Sequence, residues 1–399
     1  MPKSISERIA YVKDRFGSAF PEPGGGSLQF ISSPGRIEIL GNHTDHQHGL
    51  VITSAVNLDK LGAVRKNSKN EIRLCTEGYP PNKIDLAGIK VIETEYNSSE
   101  ALIRGVVHGF QLRGYEVGGF DAYLISDVLN GSGLSSSASF EVWVAAAINT
   151  LFCGGEVAPV EIAKICQYAE NVFFGKPSGL QDQLACAVGG ILFIDFEDTE
   201  NPQIEKFDAD FSGYDICIID SGGDHANLTD QYAAIPEELG EISGYFGKQW
   251  LREVDKEAVL KAVPALRKNF GDRAVLRALH IFAENERVLT AREALSKNKV
   301  DAFLQMVKAS GRSSFMYLQN VSIAGEVKDQ PLAIVLALCE ELLGGEGAYR
   351  IQGGGFAGTV EVFVTKNRIA DFITDVEQAI GKGCCHVLSI RTNGAMLIS

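Results

Sequence analysis

Residues 129–141, LNGSGLSSSASFE, combine two glycines and a serine cluster immediately before an apolar helical pattern. Gly131 and Gly133 permit positive φ and a close approach of the backbone to a ligand, because they lack a Cβ atom. The serines 135–137 fall where the first amides of a helix have no intrahelical partner. A helix N-terminus also carries partial positive charge, so the segment predicts a phosphate-binding loop. A well-capped helix after a glycine turn is the alternative, since such loops are common.

A second polar segment, GNHTDHQHG at residues 41–49, has a different chemistry. Its imidazoles and carboxylate are potential metal ligands, namely His43, Asp45, His46 and His48. The spacing is not that of a known zinc motif, and the nearby Arg36 disfavours a cation. One alternative is a polar pocket in which His43 and Asp45 bind a hydroxylated ligand, and another is a solvated hairpin turn.

Two acidic residues follow the phosphate-loop candidate. The pattern at residues 159–173 predicts a helix with Glu170 near its C-terminal end, where negative charge is disfavoured. Glu170 is therefore either an ordinary exposed residue or a group held for a cation. Asp182 lies just inside the next predicted helix, where an aspartate is favourable without any function.

The elements that must position these residues are short strands and helices. The helix after the loop is predicted from apolar residues at 138, 142, 145, 146 and 148, with one face packing inward. Strands are predicted at 28–32, 37–40 and 50–55, split by turns. Further helices are predicted at 101–112, 274–295, 300–310 and 331–343, a strand at 214–220, and a polar loop from residue 224 that contains Tyr232.

A second glycine motif lies near the C-terminus. Gly353, Gly355 and Gly358 fit GxGxxG, but residues 359–365 alternate as a strand, whereas a dinucleotide fingerprint must open a helix. A glycine loop between two strands, close to a ligand or another loop, is the preferred interpretation. The chain also has no GxxxxGK[ST] motif, which excludes the P-loop kinases.

Length and composition limit the function classes. The 399 residues favour two domains, and DTENP at 198–202 is the predicted boundary, giving domains 1–198 and 199–399. A net charge of −14 disfavours nucleic-acid and anionic-membrane partners. Eight scattered cysteines without CxxC spacing indicate buried free thiols. With no signal-peptide pattern, a cytoplasmic protein is expected.

Three motifs occur together in one order: SPGRIEILGNHTDHQHG, LNGSGLSSSAS and IQGGGFAGTVEVF. Together with AENVFFGKPSGLQDQ and RALHIFAENERV, they resemble the galactokinase branch of the GHMP small-molecule kinases over nearly the whole chain. The resemblance implies a two-domain α+β fold, with an N-terminal S5-domain-2-like domain, a C-terminal ferredoxin-like domain and an active site between them. It implies an ATP-dependent sugar-1-kinase with Mg²⁺, expected to be a monomer.

The resemblance also implies residue roles. Asp182 matches the catalytic aspartate and Arg36 the arginine that pairs with it, while Glu170 with Ser136 or Ser137 is expected to hold Mg²⁺. The expected ATP-phosphate loop comprises Asn130, Gly131, Ser132, Gly133, Leu134, Ser135, Ser136 and Ser137. The expected sugar contacts are Asn42, His43, Asp45, Gly179 and Tyr232.

Departures from the family pattern leave the substrate open. Asn42 stands where galactokinases usually carry a glutamate that is expected to bind the 6-hydroxyl, and Asp45-His46-Gln47 is similar to galacturonokinases. Residues 233–238, AAIPEE, replace the usual asparagine and arginines, and the tryptophan expected near adenine is replaced around Ser99. The first hypothesis is a galactokinase, and the second is a galacturonokinase or another hexose-1-kinase. A non-catalytic sugar and ATP sensor and a metal-dependent hydrolase are the alternatives from other classes.

Overall fold

The computed structural model describes residues 4–22, 25–129, 131–223 and 228–398. In chain order its strands are β1 (Gly25–Leu40), β2 (Leu50–Lys66), β3 (Glu71–Thr76), β4 (Asn82–Asp85), β5 (Phe120–Ser126), β6 (Ile191–Asp195), β7 (Gln203–Phe207), β8 (Tyr214–Gly223), β9 (Ala348–Ile351), β10 (Gly358–Thr365), β11 (Cys385–Leu388) and β12 (Met396–Ile398). One sheet has the order β12-β1-β2-β5-β3-β4, with β6 beside β2 and β7 beside β6. The second has the order β11-β8-β10-β9.

The helices are α1 (Ile5–Ala19), α2 (Ser99–Leu112), α3 (Ser136–Phe152), α4 (Pro159–Tyr168), α5 (Gln181–Val188), α6 (Thr229–Tyr245), α7 (Lys256–Ser296), α8 (Val300–Ser313), α9 (Pro331–Leu343) and α10 (Ile369–Ala379). Short 3₁₀ turns occur at Asp45–Gln47, Glu93–Glu95 and Leu251–Glu253, and π turns at Ala169–Phe174 and Ser314–Leu318. The predicted helices are confirmed, although α7 begins earlier and kinks at Gly271, where φ is 87°. Across the described ranges, none of the helices combines the length and apolar character that a membrane span requires.

The prediction of separate strands at 28–32 and 37–40 was wrong, because both belong to the single 16-residue strand β1. The turn signals at Pro34 and Gly35 mark an irregularity in the pairing with β2, where the register shifts between Pro34 and Arg36. The Arg36 amide leaves the ladder and donates to Leu134 O at 3.0 Å. A Cβ atom on Gly35 would lie 3.0 Å from the same carbonyl oxygen. The irregularity interrupts the pairing with β2, and the Arg36 backbone here contacts the loop before α3 instead.

Helix α3 is buried on all sides, whereas the sequence predicted one inward face. Its residues from Ala138 to Asn149 are all buried, including Trp143, whose Nε1 donates to Ile31 O at 2.9 Å. A helix that is apolar all round belongs in a core. Its N-terminus is therefore held in position by packing along most of its length.

A hydrophobic cluster joins the two sheets. It includes Ile37 and Ile39 of β1, Val288 of α7 and Phe363 of β10. The predicted boundary at 198/199 lies between β6 and β7, and β7 and β12 complete the first sheet although they follow this boundary. Residues from both halves of the chain therefore meet where β1 ends.

Candidate active site

Arg36 and Asp182 form an ion pair between β1 and α5. Arg36 Nε donates to Asp182 Oδ1 and Nη2 donates to Oδ2, both at 2.6 Å. Two parallel bonds fix the plane of the carboxylate relative to the guanidinium. The structure therefore joins the two residues to which the resemblance assigned catalysis.

Burial and hydrogen-bond donors set the charge of Asp182. Burial raises the pKa of its carboxyl, but the charge and hydrogen bonds of Arg36, together with a bond from Ser135, lower the pKa below its ordinary value. Ser135 Oγ donates to Oδ2 at 2.6 Å. The carboxylate is therefore ionised at neutral pH, and it accepts hydrogen bonds without donating any.

The loop before α3 has the backbone that its glycines predict. Gly131 and Gly133 both have φ of 71°, and Ser135 has φ of 57°. Ser135 is the N-cap residue of α3, yet within the described ranges its hydroxyl caps no amide, since it bonds to Asp182. The Ser135 hydroxyl therefore does not cap α3, and the amides of a helix N-terminus are groups that bind anions. Asn130, assigned to this loop, lies outside the described residues.

Contacts from β1 and from the second glycine loop hold the phosphate-loop candidate. Thr359 Oγ1 donates to Ser132 O at 2.7 Å, and Gln352 Nε2 donates to Gly133 O at 3.2 Å. Arg36 Nη1 also donates to Gly133 O. Leu134, which precedes the serines, is fully buried. The second glycine motif thus forms a loop between β9 and β10, as predicted, and it supports the first.

Lys60 lies beneath this loop and was missed in the sequence. Its Nζ donates to Ser126 Oγ at 3.0 Å and to Ser136 Oγ at 3.1 Å. The residue is 5% exposed, and burial lowers the pKa of its ammonium to about 8. A buried cation beside the positive end of α3 is unfavourable unless an anion is bound nearby. The signal in the sequence was a lysine directly before the apolar residues 61–64 of β2.

Glu170 is buried in a π turn, where the sequence predicted the end of an α-helix. Its Oε2 accepts a bond from Gln183 Nε2 at 2.8 Å, and its Oε1 lies 3.6 Å from Lys176 Nζ. Gln183 follows Asp182 in the first turn of α5. Asp182 contacts Ser135 and Gln183 contacts Glu170, so these two consecutive residues of α5 connect the loop before α3 to the Glu170 carboxylate. π turns occur frequently at functional sites.

Glu141 on α3 shares Gln183 with Glu170. Gln183 Nε2 donates to Glu141 Oε1 at 3.0 Å, and Glu141 is fully buried. Burial, and next the charge of Glu170, raise the pKa of Glu141 well above its ordinary value. The folded structure therefore favours the protonated form of the Glu141 carboxyl. The sequence did not indicate this pair, since it depends on packing between α3 and α5.

A cavity of about 270 Å³ opens beside Asp182. The catalytic and sugar-contact candidates all line it: Arg36, Asn42, His43, Asp45, Gly179, Asp182 and Tyr232. Its other lining residues include Glu38, Gln181, Gly353 and Gly354. Such a polar cavity beside an ionised carboxylate suits a small ligand with several hydroxyl groups.

The histidine segment does not assemble a metal site. His43 bonds through Nε2 to Gly354 O at 3.0 Å, and burial lowers the pKa of its ring. His48 instead stacks on Trp250, with ring centroids 4.4 Å apart. Among the described residues, no group of three or more His, Cys, Asp and Glu side chains is arranged around a common metal position. The part of the chain that the structure describes therefore offers no ligand set for the metal-dependent hydrolase. The solvated-turn alternative fails because His43 is buried.

Two further sugar-contact candidates close the cavity. Tyr232 lies in α6 and not in the predicted polar loop, and its hydroxyl donates to Gly355 O at 2.7 Å. A Cβ atom on Gly179 would lie 2.6 Å from Asp45 Oδ2, so a larger residue would displace that carboxylate. The loop before α5 therefore approaches Asp45 closely only because residue 179 is glycine.

Asn42 is fully buried, and its side-chain amide is engaged on both sides. Nδ2 donates to Glu38 Oε1 at 2.9 Å and to Gly353 O at 2.8 Å. Oδ1 accepts bonds from Ser314 Oγ at 3.2 Å and Asn320 Nδ2 at 2.8 Å. A side-chain amide has two donors and one acceptor oxygen with two lone pairs, so Asn42 has its full complement of partners.

Comparison with known proteins identifies two family regions. Residues 101–190 match the model of the GHMP kinases N terminal domain, and residues 14–66 match the galactokinase galactose-binding signature. The chain is 31% identical to galactokinase from Clostridium tetani over 363 residues, covering 90% of each chain. It is 29% identical to galactokinase from Streptomyces coelicolor over 377 residues, covering 92% of this chain and 93% of the relative.

The fold agrees with the sequence comparison. The structure matches that of galactokinase from Lactococcus lactis, which was solved with galactose, with a TM-score of 0.82. This match covers 98% of the present chain and 99% of the other, at 23% identity. The two-domain α+β fold of the GHMP kinases that the resemblance implied is thereby confirmed.

Proposed function

Because this chain belongs to the galactokinase family of ATP-dependent sugar-1-kinases, we propose that it transfers the γ-phosphoryl group of ATP to the anomeric hydroxyl of D-galactose. The observation that carries the proposal is the position of Asp182. Its carboxylate contacts Arg36 and Ser135 of the phosphate loop, and it lines the hydroxyl-binding cavity. An acceptor hydroxyl in the cavity and a phosphate on the loop would then meet at this carboxylate.

Asp182 accepts a hydrogen bond from the sugar hydroxyl and orients the oxygen for in-line attack. Because the pKa of Asp182 lies below its ordinary value, complete proton removal before attack is unfavourable. The proton passes to the carboxylate as the bond from the sugar oxygen to the γ-phosphorus forms and the bond from the γ-phosphorus to ADP breaks, releasing ADP. Arg36 keeps the carboxylate ionised and adds positive charge beside the transferred group. Phosphoryl transfer depends mainly on such positioning and charge stabilisation.

The phosphate loop and the first turn of α3 bind the ATP phosphates through backbone amides. The hydroxyl of Ser135, a residue of this loop, donates to Asp182. The Asp182 carboxylate therefore contacts the phosphate loop and also lines the sugar cavity. Leu134 and the contacts from Thr359 and Gln352 keep the loop in place before ATP arrives. Preorganised amides of this kind lose little entropy when they bind phosphate.

The residues assigned to Mg²⁺ fit that ion. Glu170 is a buried carboxylate with one oxygen held by Gln183 and the other 3.6 Å from Lys176 Nζ, and Ser136 and Ser137 begin α3. Mg²⁺ usually takes one or two carboxylates together with substrate phosphates, so a full protein cage is not required. When bound, Mg²⁺ would neutralise charge on the ATP phosphates.

Release of ADP from Mg²⁺-ATP across a sugar panel tests the proposed function, with D-galactose and D-galacturonate compared directly. Preference for galactose supports the leading hypothesis, and preference for galacturonate supports the second. Sugar and ATP binding without ADP release would indicate the sensor. The ion pair between Arg36 and Asp182 favours the enzyme, because binding alone does not require an oriented carboxylate.

Lys60→Met is expected to weaken ATP binding and to raise the stability of the free protein. The variant removes a cation below the phosphate loop, so the KM for ATP should rise about tenfold or more. The pKa of Lys60 is lowered from 10.5 to about 8 on folding, which corresponds to a cost on the order of 3 kcal/mol at pH 7. This cost is full below pH 8 and disappears as the pH approaches 10.5.

Thermal unfolding of both proteins at pH 7 and pH 9.5 measures the second effect. The Tm of Lys60→Met should exceed that of the wild type by more at pH 7 than at pH 9.5. Lys308→Met is the matched control, because Lys308 is also buried but donates to Gly345 O at 3.0 Å, away from the loop. A fall in Tm for Lys60→Met with an unchanged KM for ATP would give Lys60 a purely structural role.

A further inference from the structure

A second carboxylate, Glu38, faces the cavity beside Asn42. Glu38 lies two residues after Arg36 on β1, so both side chains point to the same face of the strand. Ile37 and Ile39 point to the opposite face, where they join the hydrophobic cluster between the sheets. Glu38 is one of the residues that line the cavity. Nothing in the sequence motifs assigned it a role.

The two oxygens of Glu38 have different surroundings. Oε1 accepts bonds from Arg350 Nη2 and Asn42 Nδ2, each at 2.9 Å. Oε2 has one long bond, from Gln181 Nε2 at 3.4 Å. Burial raises the pKa of Glu38, but the charge and hydrogen bond of Arg350, and the bond from Asn42, lower it below its ordinary value. An ionised carboxylate therefore presents one under-used oxygen on the cavity wall.

The family resemblance placed a sugar-binding glutamate at position 42, but this chain has an asparagine whose amide is fully engaged. Asn42 donates one of its bonds to Glu38, so the two side chains are in direct contact. The carboxylate that position 42 lacks is thus available from position 38, four residues earlier. Arg350 of β9 fixes this carboxylate through Oε1 and leaves Oε2 free to accept a further bond.

We propose that Glu38 is a sugar-binding residue that accepts a hydroxyl of a neutral hexose and rejects sugars that carry a carboxylate. This inference rests on the proposed function. An ionised oxygen in a small cavity is satisfied by a hydroxyl donor, whereas a uronate places a like charge against it with little water between them. Specificity then comes from repulsion of the wrong sugar as well as attraction of the right one.

The test compares the wild type with Glu38→Gln, using D-galactose and D-galacturonate. Glutamine keeps the shape of the side chain and removes its charge. The KM for galactose should rise about tenfold or more with a smaller change in kcat, because the lost bond is made in the bound sugar. The ratio of kcat/KM for galacturonate to that for galactose should rise at least tenfold. The KM for ATP should stay within twofold, since the Glu38 side chain makes no hydrogen bond to residues 131–137 of the phosphate loop.

Glu361→Gln is the matched control. Glu361 is fully buried on β10, opposite Arg350 in the strand register, but it does not line the cavity. The Glu361→Gln substitution changes the surroundings of Arg350 but removes no sugar contact. The ratio of kcat/KM for galacturonate to that for galactose should therefore not change. If Glu38→Gln does not fold, Glu38→Asp is tested instead. Aspartate keeps the negative charge but has a shorter side chain, so its carboxylate lies farther from the sugar. The KM for galactose should then rise, and galacturonate should remain excluded.

Two results would overturn the inference. The first is a wild-type preference for galacturonate, and the second is a folded Glu38→Gln variant with an unchanged KM and preference ratio. If the wild type phosphorylates neither sugar, the proposed function fails separately. Calorimetric binding of the two sugars to wild type and Glu38→Gln then measures the same ratio without catalysis, so Glu38 is still tested.

Discussion

Asp182→Asn is expected to lower kcat by about 10²–10⁴-fold while galactose binding is largely retained. Asparagine has nearly the same shape and can still accept the bond from Ser135, but it cannot take the proton from the attacking hydroxyl. It also leaves Arg36, whose side chain is 9% exposed, without its anionic partner. Steady-state ADP release and calorimetric sugar binding measure the two effects independently.

Asp121→Asn distinguishes catalysis from the general loss of a bidentate ion pair between arginine and aspartate. Asp121 is 2% exposed and accepts bonds from Arg73 Nε at 2.7 Å and Nη2 at 2.8 Å, which is the same kind of pair. Asp121 lies outside the cavity, so its variant should lose stability and keep kcat. Near-normal turnover in Asp182→Asn would remove Asp182 from the reaction, whatever the change in Tm.

The site could be predicted in part, because some residues belong to motifs and others depend on packing. The glycine and serine pattern predicted the phosphate loop from local chemistry alone. Asp182 gave no such signal, since an aspartate in the first turn of a helix is favourable without a function. Only the family resemblance singled it out, because its pairing with Arg36 crosses 146 residues of sequence.

Lys60, Glu38, Glu141 and Gln183 were missed for a common physical reason. Each is a polar residue buried between elements that are distant in sequence, and neither strand alternation nor helix periodicity reveals such a partner. A lysine or glutamate in a strand usually marks the solvated face. Here β1 and β2 are covered on both faces, so polar residues on those strands enter the site. Two-sided burial is a property of the assembled fold, which local patterns do not encode.

The error at Pro34 and Gly35 has a similar origin. Proline and glycine are strong turn signals, and a turn between two short strands was the natural expectation. In the fold these residues form an irregularity within β1 because Asp59 and Ala55 of β2 continue to pair on either side. The residues were correctly recognised as irregular, but only the long-range pairing decides between a turn and a bulge. The consequence is functional, since the irregularity directs the Arg36 amide to the phosphate loop.

Glu170→Gln is expected to raise the Mg²⁺ concentration needed for half-maximal rate by about 10–100-fold or more. A neutral amide is a weaker ligand for Mg²⁺ than a carboxylate, and the variant would lose charge stabilisation of the transferred group. The KM for galactose should change little, because Glu170 is not among the residues that line the cavity. Titration of the ADP-release rate with Mg²⁺ at fixed ATP gives the measurement.

Glu141→Gln provides the matched control, since both glutamates bond to the same Gln183 nitrogen. The pKa of Glu141 is raised well above 4.5 on folding, so this carboxyl weakens the folded state increasingly as the pH rises above that value. Replacing it with glutamine should raise Tm at pH 7 and leave the Mg²⁺ dependence unchanged. Glu170→Gln should instead remove the repulsion between the Glu141 and Glu170 carboxyl groups and raise the Mg²⁺ concentration needed for half-maximal rate.

Comparison of Glu170→Gln with Glu141→Gln thus separates the effect of the Glu170 carboxylate from the effect of the hydrogen bonds that both residues make to Gln183. If Glu170 holds Mg²⁺, only its variant changes the metal titration, although both keep the glutamine-sized side chain that Gln183 contacts. An equal effect of the two substitutions would mean that the reaction requires the hydrogen-bond bridge through Gln183 and not the Glu170 carboxylate itself. Glu170 would then position α5, and through it Asp182, without acting as a metal ligand.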